Sequence, residues 1–193
     1  MKALLLTATA AAMLTACTTM EDDLPPPLPP VAVGIPAATY LPGAASGDIF
    51  EIRSSQLALQ RACDPAVRSF AQMLIADHTR MSGQLLSTAR SAGLPEPPPV
   101  LAPHHQQMLD RLNMASAANF DAAYRTEQIA AHEEALTLHR SYADDGDHPA
   151  LRGVAAQAVP IIEAHLGHAQ TLPTGCAPPM APPVEVPRTG ERG

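Results

Sequence analysis

The chain has 193 residues, enough for one domain of ordinary size with tails, and carries a formal net charge of −7. Hydrophobic residues make up 46% of it but aromatic residues only 3%, a composition that favours closely packed helices over β-sheet. The acidic balance argues against nucleic acid as a partner, because binding to phosphates needs clustered Lys and Arg side chains. The only lysine, Lys2, stands at the start of the chain.

The first twenty residues have the pattern of a bacterial export signal. Lys2 is followed by an apolar run and by small residues before a cysteine, too short a segment for a lasting transmembrane helix. The letters "LTAC" resemble a lipobox, which implies a signal peptide over residues 1–16 and lipid anchoring through Cys17. Thr18 in place of Asp favours the periplasmic face of the outer membrane. The alternative is an ordinary signal peptide in which Cys17 is incidental.

Two proline-rich segments without hydrophobic periodicity flank the middle of the chain. Residues 17–43 include "EDDLPPPLPPVAVGIP", which predicts an extended, semi-rigid tether behind the lipidated cysteine. Residues 173–193 form a second proline-rich segment, predicted to be a disordered tail. The folded domain is therefore expected over residues 44–172.

Within this domain the sequence predicts an all-α fold of four long helices and one short helix. Asp64 and Pro65, a capping residue followed by proline at the first helical position, start the second helix directly after the first. Pro103 opens the short helix, and Pro160 is expected to kink the last one by removing a backbone hydrogen bond. The expected ranges are about 45–63, 64–93, 103–116, 119–144 and 149–172.

Histidines interrupt the apolar stripes of three predicted helices. His78, with Asp77 beside it, His132 and His165 all fall near mid-helix on the buried face. At 1.5 Å rise per residue they lie roughly 20–24 Å into their helices, so a bundle places them in one layer together with Glu51 of the first helix. The other histidines are predicted to face solvent or to lie in loops: His104, His105, His139, His148 and His168.

Three segments of the domain resemble a bacterial ferritin-like family, the domain of unknown function numbered 4142. The resemblance covers about residues 44–172. Its most specific elements are Glu51 of "FEI", the Asp77-His78 pair, Phe120, Asp121 and Tyr124 of "FDxAY", His132, and the "PxxxxHL" pattern ending at His165 and Leu166. It implies a four-helix bundle exported to the cell envelope, with no established activity.

The ferritin-like resemblance also implies a topology. The segment between the second and third long helices is long enough to cross the bundle from end to end, which makes the first and fourth helices parallel. The end of the first helix, with Cys63, then shares a pole with Cys176 of the tail. A Cys63–Cys176 disulfide suits an oxidising compartment, although Cys63 is equally suited to be a buried apolar residue.

The inward histidines have two interpretations. One is a metal site made of His78, His132, His165 and Glu51, with Asp77 as ligand or hydrogen-bond acceptor, a donor set suited to Zn, Cu or Fe. The other, weighed slightly higher, is a buried polar network in which each ring bonds a carboxylate or carbonyl group and Tyr124 takes part. A di-iron centre is disfavoured because no Glu-x-x-His sequence occurs in the chain.

No catalytic residues are predicted. Gly-rich phosphate loops, "GxSxG" and "CxxC" are absent from the sequence. The main hypothesis is a lipid-anchored envelope protein without catalytic activity that serves envelope maintenance or binding of a partner. The alternative is a histidine-based metal protein with redox or storage activity.

Overall fold

The computed structural model describes residues 34–176, and within this range the chain is all-α. The expected signal peptide, Cys17 and the part of the tail after residue 176 lie outside the described residues. The helices are α1 (Ala37–Arg61), α2 (Pro65–Ser91), α3 (Pro103–Met114), α4 (Phe120–Asp145) and α5 (Pro149–Ala169), with a 3₁₀ turn at Ala117–Asn119. They confirm the predicted bundle with a short helix in the crossover. None of the helices in the described range is long and apolar enough to span a bilayer.

Three helices begin at a proline in the first helical position: Pro65, Pro103 and Pro149. Proline costs nothing there, because the N–H groups of the first turn have no partner within the helix. At α2 the Asp64 side chain also accepts a hydrogen bond from the Ala66 N–H at 2.7 Å. Local sequence therefore sets these starts.

The first helix begins earlier than predicted. It starts at Ala37, so residues 37–43, which the proline-rich composition places in the tether, are helical. The Ala37 N–H donates to Asp147 Oδ1 at 2.9 Å, and the Tyr40 ring stacks on Tyr142 with centroids 3.9 Å apart. The boundary expected at residue 44 is too late, because contacts with the end of α4 outweigh the proline-rich composition of this segment.

The chain before α1 is tied to the turn between α4 and α5. Ile35 donates its N–H to the Asp145 carbonyl at 2.7 Å and accepts one from Asp147 at 3.0 Å. Gly34 is required by this close approach, because a Cβ there would collide with the Asp145 carbonyl oxygen. The start of α1 and the start of α5 therefore lie at the same end of the bundle.

The crossover spans the bundle, as a ferritin-like topology requires. The end of α1 meets the start of α4, where the buried Asp121 carboxylate accepts the Asp64 N–H at 2.9 Å. Helix α1 is thus antiparallel to α4 and parallel to α5, and residues 92–119 carry the chain from one pole to the other. The short helix α3 packs on α1 and α4 within this crossover.

A disulfide between Cys63 and Cys176 closes the pole at which α1 ends. The ferritin-like resemblance implied this pairing as one of the two roles open to Cys63. It joins residues 113 apart in the sequence and so ties the segment after α5 to the turn between α1 and α2.

Two of the three apolar clusters in the described core lie toward opposite poles, and a layer of buried histidines and a small third cluster separates them. Phe70 and Tyr124 belong to the cluster at the disulfide pole, whereas Tyr40 and Leu85 belong to the cluster at the other pole. The three mid-helix histidines fall between these clusters along α2, α4 and α5, and all three are buried.

Candidate metal centre

Three histidines from three helices converge in this layer. His78 of α2, His132 of α4 and His165 of α5 are exposed by only 1–3% of their surface. Their ring centroids are 5.5–5.9 Å apart, and one ring nitrogen of each lies within 4.8 Å of the other two. Nitrogens this close together are able to share one ion.

The outer nitrogen of each ring is held by a hydrogen-bond acceptor. Nδ1 of His132 donates to its own helix, at the Gln128 carbonyl, at 2.8 Å. Nδ1 of His78 lies 2.8 Å from Asp48 Oδ1, and Nε2 of His165 lies 3.0 Å from Asp77 Oδ2. The Gln128 carbonyl and the ionised Asp77 carboxylate only accept, so His132 and His165 carry the ring proton on the outer nitrogen and keep the inner lone pair. His78 has the same tautomer when Asp48 is ionised.

The inner nitrogens have no partner among residues 34–176. They are Nε2 of His78, Nε2 of His132 and Nδ1 of His165, and Glu51 Oε2 beside them is also unpaired. Leaving buried acceptors unsatisfied costs about 1–3 kcal/mol each, so such atoms are rare in folded proteins. The three ring nitrogens are the donor set of a metal site, with the outer acceptors supplying its orientation.

A cavity of about 20 Å³ adjoins the site, enough for a species the size of one water molecule. Its walls include Glu51, His78 and His132, together with the thioether of Met81. Leu138 and Ile162 contribute apolar walls. The site is therefore polar at its centre and has apolar side chains in part of its wall.

Burial sets the charge of these groups. It lowers the pKa of His78 to about 4 and that of His132 to about 3, and it also lowers the pKa of His165, so the rings are neutral at pH 7. Burial raises the pKa of Asp48 to about 7 and that of Glu51 well above its ordinary value. Neutral imidazoles can bind a metal cation without first losing a proton. The cation would also balance the charge of the neighbouring carboxyl groups once they ionise.

Asp77 differs from the two buried carboxyl groups. Burial acts to raise its pKa, but hydrogen bonds from Arg80, at 2.8 Å, and from His165 outweigh burial and lower it. Asp77 is thus ionised and faces the back of the His165 ring, which makes it an orienting acceptor for that ring.

Lowering the pH from about 7.5 to about 5 is expected to destabilise the metal-free protein, because unfolded histidine titrates near 6.5. The folded-state pKa values of His78, His132 and His139 are lowered to about 4, 3 and 4, so below pH 6.5 the unfolded chain binds more protons. Each such ring removes about 1.4 kcal/mol of stability per pH unit in this window. The raised pKa values of Asp48 and Glu51 act in the opposite direction.

Thermal unfolding of chelator-treated protein across this pH range measures the balance. The histidines with lowered pKa outnumber the two carboxyl groups, because those of His105 and His165 are lowered as well. The melting temperature should therefore fall with pH. A melting temperature that is constant or rises on acidification would show that these rings are not held neutral.

The remaining predicted polar residues take different places. Glu51 Oε1 lies 3.5 Å from Nδ1 of His132, so this carboxyl group adjoins the cluster. Tyr124 is buried, but its hydroxyl bonds Ser55 at 2.8 Å and no histidine, in a separate part of the core.

Asp48, which holds His78, was missed by the sequence analysis. Its position three residues before Glu51, one helical turn away, was the available signal.

Two histidines predicted to be exposed are buried. His105 is exposed by 4% and His139 by 7%, so the expectation of solvent-facing rings is wrong for both. His139 follows His132 by seven residues, two turns on the same face of α4, and its Nδ1 bonds the Tyr40 hydroxyl at 3.0 Å. His105 precedes the buried Met108 by three residues on α3. Helical spacing from known buried positions was the signal for both.

The model of a family described as Domain of unknown function (DUF4142) matches residues 30–172. The chain belongs to this family. The match confirms the resemblance carried by the Asp77-His78 pair and the "FDxAY" motif. No functionally curated protein matches the DUF4142 chain.

Two solved structures share the fold of this DUF4142 protein. The structure described as CopM in the Cu(II)-bound form is 18% identical, with a TM-score of 0.61, and the match covers 71% of this chain and 95% of that one. CopM in the Cu(I)-bound form is 17% identical, with a TM-score of 0.58 and coverage of 68% and 91%. At such identity the likeness establishes the helical fold alone.

Proposed function

We propose that this DUF4142 protein binds a copper ion with His78, His132 and His165, as a non-catalytic copper-holding protein of the cell envelope. The observation that carries the proposal is the set of three convergent, buried ring nitrogens whose lone pairs have no partner in the described chain. A network of core histidines without a metal would pair these inner nitrogens as well as the outer ones.

The donor set favours copper among the metals that imidazole suits. Zn, Cu and Fe all accept imidazole, but a non-haem iron site needs carboxylate ligands, and the carboxyl groups of Asp48 and Asp77 bond the outer ring nitrogens instead of joining the inner ones. The Met81 thioether in the same cavity is a soft donor of the kind that Cu(I) prefers. The fold shared with two copper-bound structures supports the same metal.

The burial of the site supports holding over catalysis. A catalytic metal keeps a coordination position open to substrate, whereas the three rings here are almost fully enclosed. The carboxyl groups of Asp48, Glu51 and Asp77 surround the rings and would offset the charge of the ion. This arrangement suits retention of a cation, because the cavity beside the rings, about 20 Å³, has room for only one water-sized species.

An envelope location is part of the proposal. Lys2, the apolar run and "LTAC" lie outside the described residues and support export and lipidation at Cys17. The Cys63–Cys176 disulfide in the described part supports an oxidising compartment. Mass spectrometry of the mature N-terminus tests the anchor. An N-terminus that begins after Cys17, without lipid, would contradict it.

Copper titration of protein purified without a histidine tag tests the binding function. Cu(I) and Cu(II) are each added against a competing chelator, with Zn(II) as a comparison. Stoichiometric binding of copper, competitive with zinc, is expected, accompanied by a rise in melting temperature because the ion binds the folded state only. If the protein keeps no copper in the presence of a weak chelator, the proposal is overturned and the histidines are a polar network.

Asp77→Asn is expected to weaken copper binding by about 10-fold, the lower end of the range for residues that orient a ligand. The amide oxygen accepts the His165 N–H less strongly than the carboxylate does, while the three rings stay in place. Competition titrations against the same chelator measure the change. Asp144→Asn, at an exposed aspartate of α4, makes the same charge change away from the rings and should bind like the wild type. Equal affinities for the two variants would remove Asp77 from the site.

A further inference from the structure

A second cluster of metal-binding side chains lies outside the buried triad. His104 and His105 open the short helix α3, and Glu134 lies on α4 facing them. One ligand atom from each lies within 4.8 Å of the others. The side chains of His104 and Glu134 are about half exposed, at 51% and 48%, whereas that of His105 is buried. This outer cluster, as defined by these three residues, thus faces solvent on one side.

The outer cluster is held in place before any ion arrives. The His105 ring stacks on Phe50, with centroids 5.5 Å apart, and its Nδ1 lies 2.7 Å from the Ser46 hydroxyl oxygen. Its other nitrogen, Nε2, points toward Glu134, 3.9 Å from Oε1. His104 Nε2 bonds the same oxygen at 2.8 Å. Two rings and one carboxylate are therefore already gathered around one point.

Two residues of the outer cluster and two of the buried triad line the same pocket. His105 and Glu134 form part of its wall, and so do Glu51, His78 and His132. On the α1 side of this pocket the helix carries the small residues Gly43, Ala44 and Gly47. A Cβ at Gly47 would come to 3.9 Å from the His105 ring. The pocket thus joins the half-exposed Glu134 to the enclosed rings.

We propose that His104, His105 and Glu134 form a second, exchangeable copper site through which the ion reaches the buried triad. The proposal rests on the proposed copper-binding function of that triad. Two imidazoles and one carboxylate suit Cu(II), and partial exposure leaves coordination positions for water. Water ligands exchange readily, so the outer site binds more weakly than the inner one and passes its ion inwards along the shared pocket.

Stopped-flow mixing of Cu(II) with the protein tests the transfer. Glu134→Gln is compared with Glu133→Gln, because both residues are exposed, adjacent on α4 and equal in charge. The Cu(II) absorption spectrum reports the rate at which the triad fills. In Glu134→Gln this rate should fall by about 10-fold, which is within the range that charge steering at a pocket produces. In Glu133→Gln it should stay unchanged. The final affinity of the triad should be the same in both variants. Equal filling rates would overturn the proposal.

A second measurement separates this proposal from the function of the triad. His132→Ala removes a ring of the inner site and should still bind Cu(II) weakly, with an electron paramagnetic resonance spectrum of mixed nitrogen and oxygen ligation. Adding His104→Ala and Glu134→Gln to that variant should abolish the weak binding. If His132→Ala alone binds no copper, the outer site does not bind copper, whereas the copper-binding function of the triad still stands. If His132→Ala binds as tightly as the wild type, the triad itself has no copper function.

Discussion

Replacing His132 with alanine is expected to abolish tight copper binding. His132 is exposed by 1%, and its Nε2 is one of the three inner nitrogens without a partner in the described chain. Loss of a residue that only orients a ligand costs 10–100-fold in affinity, so loss of a ligand should cost more than about 100-fold. The remaining rings of His78 and His165 provide only two nitrogens, too few to hold the ion against a chelator.

Competition titration and thermal unfolding together measure this effect. The copper-induced rise in melting temperature should disappear in His132→Ala, because the ion no longer favours the folded state. His168→Ala is the matched control, since His168 is exposed on α5 and belongs to neither metal-binding cluster of the described residues. Circular dichroism checks that the variant keeps its helices. A folded His132→Ala protein that still binds copper tightly would refute the three-histidine site.

His132→Gln provides a second variant in case the alanine leaves too large a cavity. The glutamine side chain fills part of the space left by the ring and is itself hydrogen-bonding, but it supplies no imidazole nitrogen. Loss of tight copper binding is expected in this variant as well.

Removing the disulfide is expected to produce the largest loss of stability. The bond closes a loop across 113 residues, and constraint of an unfolded chain over such a loop is worth about 4–5 kcal/mol. In a protein of this size each kcal/mol corresponds to about 2–4 °C, so the melting temperature should fall by roughly 8–20 °C. The double variant Cys63→Ser/Cys176→Ser is the test, because a single variant leaves a free thiol that can pair between molecules.

Copper affinity should change little in this double variant. The disulfide closes the pole at which α1 ends, whereas the triad lies in the middle layer between the apolar clusters. Serine replacement is preferable to chemical reduction, since free thiolates bind copper themselves and would confuse the titration. Unfolding by denaturant gives the free energy of unfolding directly when the wild type and the variant share the same slope of free energy against denaturant concentration. A loss below about 1 kcal/mol would mean that the bond does not constrain the unfolded chain as a loop of this length should.

Some features of this protein were determined by local sequence. The starts of α2, α3 and α5 follow from Asp64 and from prolines at the first helical position, because capping and the missing proline N–H act within a single turn. The inward direction of His78, His132 and His165 follows from the spacing of apolar neighbours along each helix, which fixes the face that a residue occupies.

Other features depended on contacts between segments far apart in the sequence. Helix α1 extends back to Ala37 because Asp147 and Tyr142, a hundred residues away, hold its first turns. Spacing from Met108 indicates the face of α3 that His105 occupies, but the burial of its ring depends on Phe50 and Ser46 of α1.

The axial register between helices is likewise a tertiary property. Periodicity says that a ring faces inwards, but only the packing of side chains decides which rings lie at the same height and which of their nitrogens face one another. The role of Asp48 behind His78, the 5.5–5.9 Å spacing of the triad and the meeting of His104 and His105 with Glu134 were all decided at that level.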